Sequence, residues 1–200
     1  MRNLVFIEGL WHTGKSYFLE YLQSIKTPKD EHVRITTDIR ELGTIRHAAY
    51  SLYPEIYPEF DLIFDRSPVT LKSISNSKLG IYDNLYINPI YWESFYSQWV
   101  KEMSSLTLED TKIIFLYFNP FNKNRKIAKE IISYIRNYNK PFLMIKKKLI
   151  TEQKLIELHD IFIEELLNLH SSFLGFKIYP IEYRDKESAI EILKKEKILF

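Results

Sequence analysis

Four residues near the N-terminus have the types and the spacing needed to hold a phosphate group. In the stretch EGLWHTGKSYF, Gly9, Gly14, Lys15 and Ser16 match the pattern GxxxxGK[ST]. Glycines let backbone N–H groups curl around a phosphate, the lysine reaches the β and γ oxygens of a nucleotide, and the hydroxyl that follows ligates Mg²⁺. The pattern therefore predicts a site for a nucleoside triphosphate and Mg²⁺, with contacts from Gly9, Thr13, Gly14, Lys15, Ser16 and Tyr17.

A carboxylate at the end of another predicted strand could complete the magnesium site. In DLIFDRSP, Asp65 directly follows an apolar run and Arg66 comes next. A carboxylate in this place can reach a magnesium ion held by Ser16, directly or through water. The alternative is a turn with a surface ion pair, a common arrangement that is nearly neutral for stability. Beside the phosphate-binding pattern, we favour a functional role for both residues.

These two segments resemble the P-loop nucleoside and nucleotide kinases, especially the thymidylate kinase and deoxynucleoside kinase group. The matching pieces are FIEGLWHTGKS and the DRS of DLIFDRSPVT. The resemblance implies that the loop with Lys15 binds ATP phosphates. It also implies that Asp65 and Arg66 lie beside the magnesium ion and the transferred phosphoryl group. The strong part of the match ends at DRS.

In that group the second strand end carries a carboxylate or an arginine for the reacting end of the acceptor. Here ITTDIRE offers Asp38, Arg40 and Glu41. If the acceptor is a hydroxyl, Asp38 or Glu41 could orient it and take its proton; if it is a monophosphate, Arg40 could clamp that phosphate. A charged surface loop is the alternative. The chain departs from the group because no Glu-Pro pair and no Arg-Glu-Pro-Gly run follows this strand.

Kinases of this group also close an arginine-bearing lid over the phosphates. The resemblance implies a lid at about residues 119–140, in which Arg125 of NPFNKNRKIAKE is the leading candidate. The alternative is an ordinary helix with a solvated basic face, because Ile127, Ile131 and Ile135 already explain its buried stripe.

An aromatic helix could supply a ring for the acceptor's base. Trp92 and Tyr96 lie in PIYWESFYSQWVKEM, and an aromatic face can stack on any nucleobase. Core packing is the alternative for each of them. The predicted substrate-binding residues are thus Arg40, Glu41, Arg66, Trp92 and Tyr96.

The elements that must position these residues can be read from hydrophobic patterns. Five short apolar runs predict strands at 4–8, 32–37, 61–65, 112–118 and 176–182. Helical spacing recurs between them, at 17–25, 89–103, 127–135, 149–170 and 186–196. Alternating strands and helices predict a three-layer α/β/α fold with a five-stranded parallel sheet and the ligand crevice at the carboxyl ends of the strands. The segments 70–89 and 119–124 are interpreted as linkers.

The length and composition of the chain exclude several classes of protein. A chain of 200 residues with 46% apolar content suits one domain, residues 1–200. Its 28 basic and 26 acidic residues nearly cancel, which argues against wrapping long nucleic acid. It contains no cysteine, and its N-terminal apolar run is too short for a signal peptide or a membrane span. We therefore expect a cytoplasmic protein that does not enter the membrane; a homodimer is compatible with the sequence.

Three functions remain open at this stage. The first, which we favour, is transfer of the ATP γ-phosphoryl group to a (deoxy)nucleoside monophosphate or a (deoxy)nucleoside, with a slight preference for deoxynucleotides. The second is transfer to a polynucleotide end or a modified base in DNA, which needs an open basic channel. The third is a nucleotide-binding switch, which needs a guanine-reading NKxD; the segment NKPF has no aspartate.

Overall fold

The chain folds around a parallel β-sheet whose strands coincide with the apolar runs of the sequence. The computed structural model describes residues 3–10, 12–36, 59–77, 89–108, 111–119, 125–137, 149–172 and 175–200. Within these ranges the strands are Asn3–Glu8 (β1), Val33–Thr36 (β2), Asp61–Asp65 (β3), Lys112–Asn119 (β4) and Phe176–Glu182 (β5). The sheet order is β2-β3-β1-β4-β5, and every neighbouring pair is parallel. The predicted five-stranded parallel sheet is confirmed.

Six α-helices connect and cover the strands within the described ranges. They are Lys15–Ile25 (α1), Pro68–Asn76 (α2), Pro89–Leu108 (α3), Arg125–Asn137 (α4), Glu152–Ser172 (α5) and Lys186–Lys195 (α6), with a short 3₁₀ turn at Pro28–Asp30. Five of them lie where helical spacing was found. None of the helices in the described part is long and apolar enough to cross a bilayer.

The helices form one layer on each face of the sheet. Because successive strand residues point to opposite faces, Phe6, Phe64 and Phe115 share one side. Their rings stack with centroid distances of 5.1 and 5.3 Å, and Trp99 of α3 meets Phe6 edge-on at 5.7 Å. Residues of α5 complete this core. Val5, Ile7 and their neighbours face α1 and α6 on the other side, so the arrangement is the predicted α/β/α sandwich.

The prediction of a linker at 70–89 is wrong in its first part. Residues 70–76 belong to α2, which begins at Pro68. The segment TLKSISN carries few apolar residues, so its helical period is weak, and the helix depends on contacts with α3 and α5. Residues 78–88 lie outside the described ranges. In the other predicted linker, Asn119 is the last residue of β4 and 120–124 lie outside the described ranges.

A buried carboxylate braces the amino ends of β4 and β5, far from the carboxyl edge. Both oxygens of Glu196 accept hydrogen bonds from Lys177 Nζ at 2.8 and 2.9 Å, the Tyr179 hydroxyl donates to Oε1, and Lys112 Nζ lies 3.5 Å from Oε2. Burial acts to raise the pKa of Glu196. The donors and the lysine charges outweigh it, so the pKa is lowered from the usual 4.5.

We predict that Glu196→Gln destabilises the fold by about 1–2 kcal/mol at pH 7, because buried donors lose their anionic partner and Lys177 is only half-buried. The folded-state pKa is depressed, so this contribution is present above pH 4.5 and is lost as the pH falls through the folded-state pKa. Urea unfolding of wild type and variant across this pH range measures it. Glu191→Gln, at an exposed position on α6, is the matched control; equal stability of both variants at pH 7 would contradict the brace.

Candidate functional site

The phosphate-binding pattern forms a tight loop between β1 and α1, which is the context that the motif requires. Gly9 and Gly14 have φ angles of +134° and +99°, and Gly14 is the N-cap of α1. A Cβ on Gly9 would lie 2.6 Å from the carbonyl oxygen of Phe118 in β4. Both positions therefore require glycine. Gly9 is required by its backbone angle and by the closeness of β4, and Gly14 chiefly by its backbone angle.

Lys15 begins α1 and directs its ammonium group into the loop. Its Nζ donates to the carbonyl oxygen of Leu10 at 2.5 Å and to Thr13 Oγ1 at 3.1 Å, and the Thr13 hydroxyl donates to the same carbonyl at 2.9 Å. Lys15 and Thr13 are both buried. The loop thus encloses a positive charge at the N-terminus of a helix, where an anion is favoured.

The next two residues of α1 differ in their exposure to solvent. Ser16 is half-buried at the start of the helix. Tyr17 is 57% exposed, and Lys186 of α6 donates to its hydroxyl at 3.3 Å. Tyr17 therefore lies on the outer side of α1, and its predicted contact with the nucleotide stays a prediction.

Asp65 ends β3 on the sheet face that α1 covers. It pairs with Ile7 of β1, and residues in register on adjacent parallel strands point to the same side. Ile7 packs against Phe18 and Leu19 of α1, so the Asp65 carboxyl group lies on the side of α1 and is 3% exposed.

Arg66 ties the end of β3 to the phosphate loop. Its backbone N–H donates to the carbonyl oxygen of Ile7, and its Nη1 donates to the carbonyl oxygen of Gly9, both at 3.0 Å. Its φ of +80° is rare for a side chain with a Cβ. Two motifs that lie 57 positions apart in sequence therefore meet through one guanidinium group.

Glu8 is a site residue that the sequence reading overlooked. It ends β1, is completely buried, and accepts hydrogen bonds from the Ser67 backbone N–H at 2.5 Å and the Thr70 hydroxyl at 2.6 Å. Burial raises the pKa of Glu8, against the lowering effects of these donors and of the Arg66 charge. The available signal was its position, because Glu8 follows an apolar run just as Asp65 does.

A second overlooked contact closes the loop from the side of β5. Arg184, in the turn after β5, has a φ of +60°, and its Nη2 donates to His12 Nε2 at 3.0 Å. The His12 ring stacks on Tyr134 of α4, with centroids 3.8 Å apart and planes 12° apart. Burial, and then the charges of Arg184 and Lys15, lower the pKa of His12 despite Glu130. His12 thus joins the loop to both α4 and the β5–α6 turn.

The remaining predicted residues fall in three groups. Asp38, Arg40 and Glu41 lie outside the described residues, as do 120–124 and 138–140 of the predicted lid. The backbones of Trp92 and Arg125 belong to α3 and α4, but their side chains are not among those described. Tyr96 is half-buried, with its ring 5.9 Å from Trp99 and packed against the core, and Lys72 Nζ lies 5.7 Å from its centroid.

Known structures share this architecture. Thymidylate kinase from Candida albicans is 13% identical over 98% of this chain and 93% of its own, with a TM-score of 0.54. Polyphosphate kinase 2 from Arthrobacter aurescens TC1 is 13% identical over 98% of this chain and 66% of its own, with a TM-score of 0.57. The YorR protein from Bacillus subtilis, solved with phosphorylated GDP, is 13% identical over 97% of each chain, with a TM-score of 0.52.

No protein-family model matches the sequence, and no curated protein sequence matches it significantly. Two of these three structural neighbours are named as kinases, and the chain shares the fold of all three, with a five-stranded parallel sheet between helices. The resemblance predicted from GxxxxGKS and DRS is therefore confirmed for the fold.

We predict that Gly9→Ala destabilises the protein by about 2–4 kcal/mol and abolishes ATP binding, because its Cβ would meet the rigid backbone of β4. Gly14→Ala should cost less, about 1–2 kcal/mol, because the nearest atom, 3.2 Å away, belongs to the flexible Arg184 side chain. Urea unfolding and calorimetric titration with ATP measure both effects. Gln23→Ala, exposed on α1, is the control. Equal losses in the two glycine variants would contradict the proposed contact with β4.

Proposed function

We propose that the protein is an ATP-dependent kinase that phosphorylates a (deoxy)nucleoside monophosphate or a (deoxy)nucleoside. The observation that carries the proposal is the contact between the two motifs, in which Arg66 of DRS donates to Gly9 of the phosphate loop. A phosphate loop alone indicates only that a nucleoside triphosphate binds. A guanidinium beside it can neutralise charge during phosphoryl transfer, and a carboxylate can hold a magnesium ion that does the same.

Each group at this edge has a role in the proposal. The loop N–H groups and Lys15 hold the β- and γ-phosphates of ATP, and the positive end of the α1 dipole adds to their attraction. Arg66, anchored on the loop by its Nη1, stabilises the negative charge of the transferred phosphoryl group. Binding both reactants in line accounts for most of the catalysis, because the protein forms no covalent intermediate.

The donors on this edge fit magnesium. Within the described residues no cluster of three or more His, Asp or Glu could enclose a metal ion. Mg²⁺ needs no such cluster, since it keeps several waters and takes one or two protein oxygens together with phosphate oxygens. We propose Ser16 and the buried Asp65 as those ligands. The ion would supply charge neutralisation for the phosphate groups.

The acceptor determines where a proton goes. An acceptor oxygen forms the new bond to the γ-phosphorus, and the bond from that phosphorus to the bridging oxygen breaks, so that ADP leaves. A hydroxyl acceptor would lose its proton to Asp38 or Glu41; a monophosphate acceptor would need Arg40 as a clamp instead. Trp92 and Tyr96 are proposed for the acceptor base and Arg125 for the lid, within a single domain of residues 1–200.

The names of the structural neighbours also support the proposed kinase activity. Two of the three are named as kinases, one of thymidylate and one of polyphosphate, and the third was solved with a phosphorylated guanosine nucleotide. This chain covers 93% of the thymidylate kinase chain. A cytoplasmic location and a homodimer remain predictions from the sequence.

ATP turnover across a panel of nucleosides, monophosphates and oligonucleotides tests the proposal. We expect a small nucleoside or nucleotide to stimulate turnover. Lys15→Ala should lower this turnover by about 100-fold or more because it removes a cation from the phosphates, and Asp65→Asn by about 10- to 100-fold because it weakens the hold on Mg²⁺. Lys101→Ala, exposed on α3, is the matched lysine control and should leave turnover within about twofold.

Two outcomes would change the conclusion. If no acceptor raises turnover above the Lys15→Ala background, the protein is not a kinase of this kind. If only oligonucleotides do so, the acceptor is a polynucleotide and not a free nucleoside or nucleotide.

A further inference from the structure

The start of α2 is held by Ser67 and by a residue of a different strand, Glu8 of β1. The N–H groups of a helix's first turn have no partners within the helix. At α2, Pro68 has no N–H and Val69 N donates to Ser67 Oγ at 3.1 Å. The Ser67 N–H and the Thr70 hydroxyl both donate to Glu8, 59 and 62 positions away in sequence. A carboxylate on β1 therefore completes the start of a helix that follows β3.

The hydrogen bonds of Glu8 belong to a series of contacts between the end of β1 and the β3–α2 connection. Ile7 accepts from the Arg66 backbone, Glu8 accepts from the Ser67 backbone, and Gly9 accepts from the Arg66 side chain. Three consecutive residues of one strand end thus hold the two residues that follow Asp65. Because Arg66 has a φ of +80°, the connection is strained and needs such contacts to persist.

We infer that Glu8 is a positioning residue, which acts through Ser67 and Thr70 to fix Asp65 and Arg66 relative to the phosphate loop; this inference rests on the proposed function. A carboxylate suits the task because two oxygens can each accept one hydrogen bond. A glutamine offers one acceptor oxygen, and its amide group would have to donate to the Thr70 hydroxyl, which then loses its own acceptor.

The burial of Glu8 supports more than a generic structural role. Burial raises the pKa of Glu8, so the folded chain holds this carboxyl group where an anion is disfavoured. An apolar residue would avoid that cost but would leave the Ser67 N–H without a partner. The hydrogen-bond partners of Glu8 are Ser67, which directly follows Asp65 and Arg66, and Thr70 in the first turn of α2, which ties its effect to those two groups.

Glu8→Gln and Thr70→Val in the full chain test the inference. Each weakens the link between β1 and α2. Ser73→Ala is the matched control, because the buried Ser73 hydroxyl donates to Val69 O at 2.8 Å within α2 and makes no link to β1. The first readout is the apparent Kd for Mg²⁺ of protein bound to a non-hydrolysable ATP analogue, since this needs no acceptor. The second is kcat with the best acceptor of the panel.

We expect Glu8→Gln and Thr70→Val to raise the apparent Kd for Mg²⁺ and to lower kcat by about tenfold, as loss of a supporting contact does at a metal site. Affinity for the analogue without Mg²⁺ should stay within about twofold, because the loop is intact. Ser73→Ala should change neither readout. Urea unfolding confirms that each variant is folded, and Thr70→Val decides the question if Glu8→Gln does not fold.

The inference is overturned if folded Glu8→Gln and Thr70→Val keep the wild-type affinity for Mg²⁺, or if Ser73→Ala loses as much. The hydrogen bonds of Glu8 would then stabilise only the start of α2. A wild-type protein that binds the analogue and Mg²⁺ but phosphorylates no acceptor would overturn the proposed function alone, because the magnesium readout still measures the placement of Asp65.

Discussion

The in-register parallel pairing of β1 with β3 and β4 is the constraint on which the site depends. It brings the ends of these strands to one edge, and the two-residue period of a strand then assigns each side chain to a face. Ile7 and Asp65 share the face of α1, while Glu8 turns to the face of α2. A shift of one residue in β3 would exchange the faces and separate Asp65 from α1. The large aromatic core beneath fixes this register, because Phe6, Phe64 and Phe115 stack only in it.

Much of this fold could be predicted because its signals are local. A strand buried on both faces is a continuous apolar run, as KIIFLYF in β4 shows, and all five runs became strands. The phosphate loop could also be predicted, since Gly9 and Gly14 adopt backbone angles that few other residues can adopt. Helix α2 was missed because its stability comes from elsewhere: Glu8 of β1 holds its first turn through Thr70, and the helix packs against α3 and α5.

The same distinction explains which site residues were overlooked. Asp65 was found because it stands beside an arginine after an isolated apolar run, whereas Glu8 was read as the last residue of β1. Only the pairing of strands shows that Glu8 reaches Ser67 and the first turn of α2, 59 and 62 positions later. Arg184 gave no local signal, because its contact with His12 spans 172 positions. Long-range polar contacts of this kind carry no period in the sequence, so no hydrophobic pattern can reveal them.

Backbone strain is concentrated at the carboxyl edge. Among the described residues, six have a φ in the left-handed region, and five of them lie at this edge: Gly9, His12, Gly14, Arg66 and Arg184. For residues with a Cβ, each such angle costs on the order of 1 kcal/mol or more, so it persists only where other contacts enforce it. Here those contacts run between the strained segments themselves, from Arg66 to Gly9 and from Arg184 to His12. The loop, the DRS turn and the β5–α6 turn therefore stabilise one another's shape.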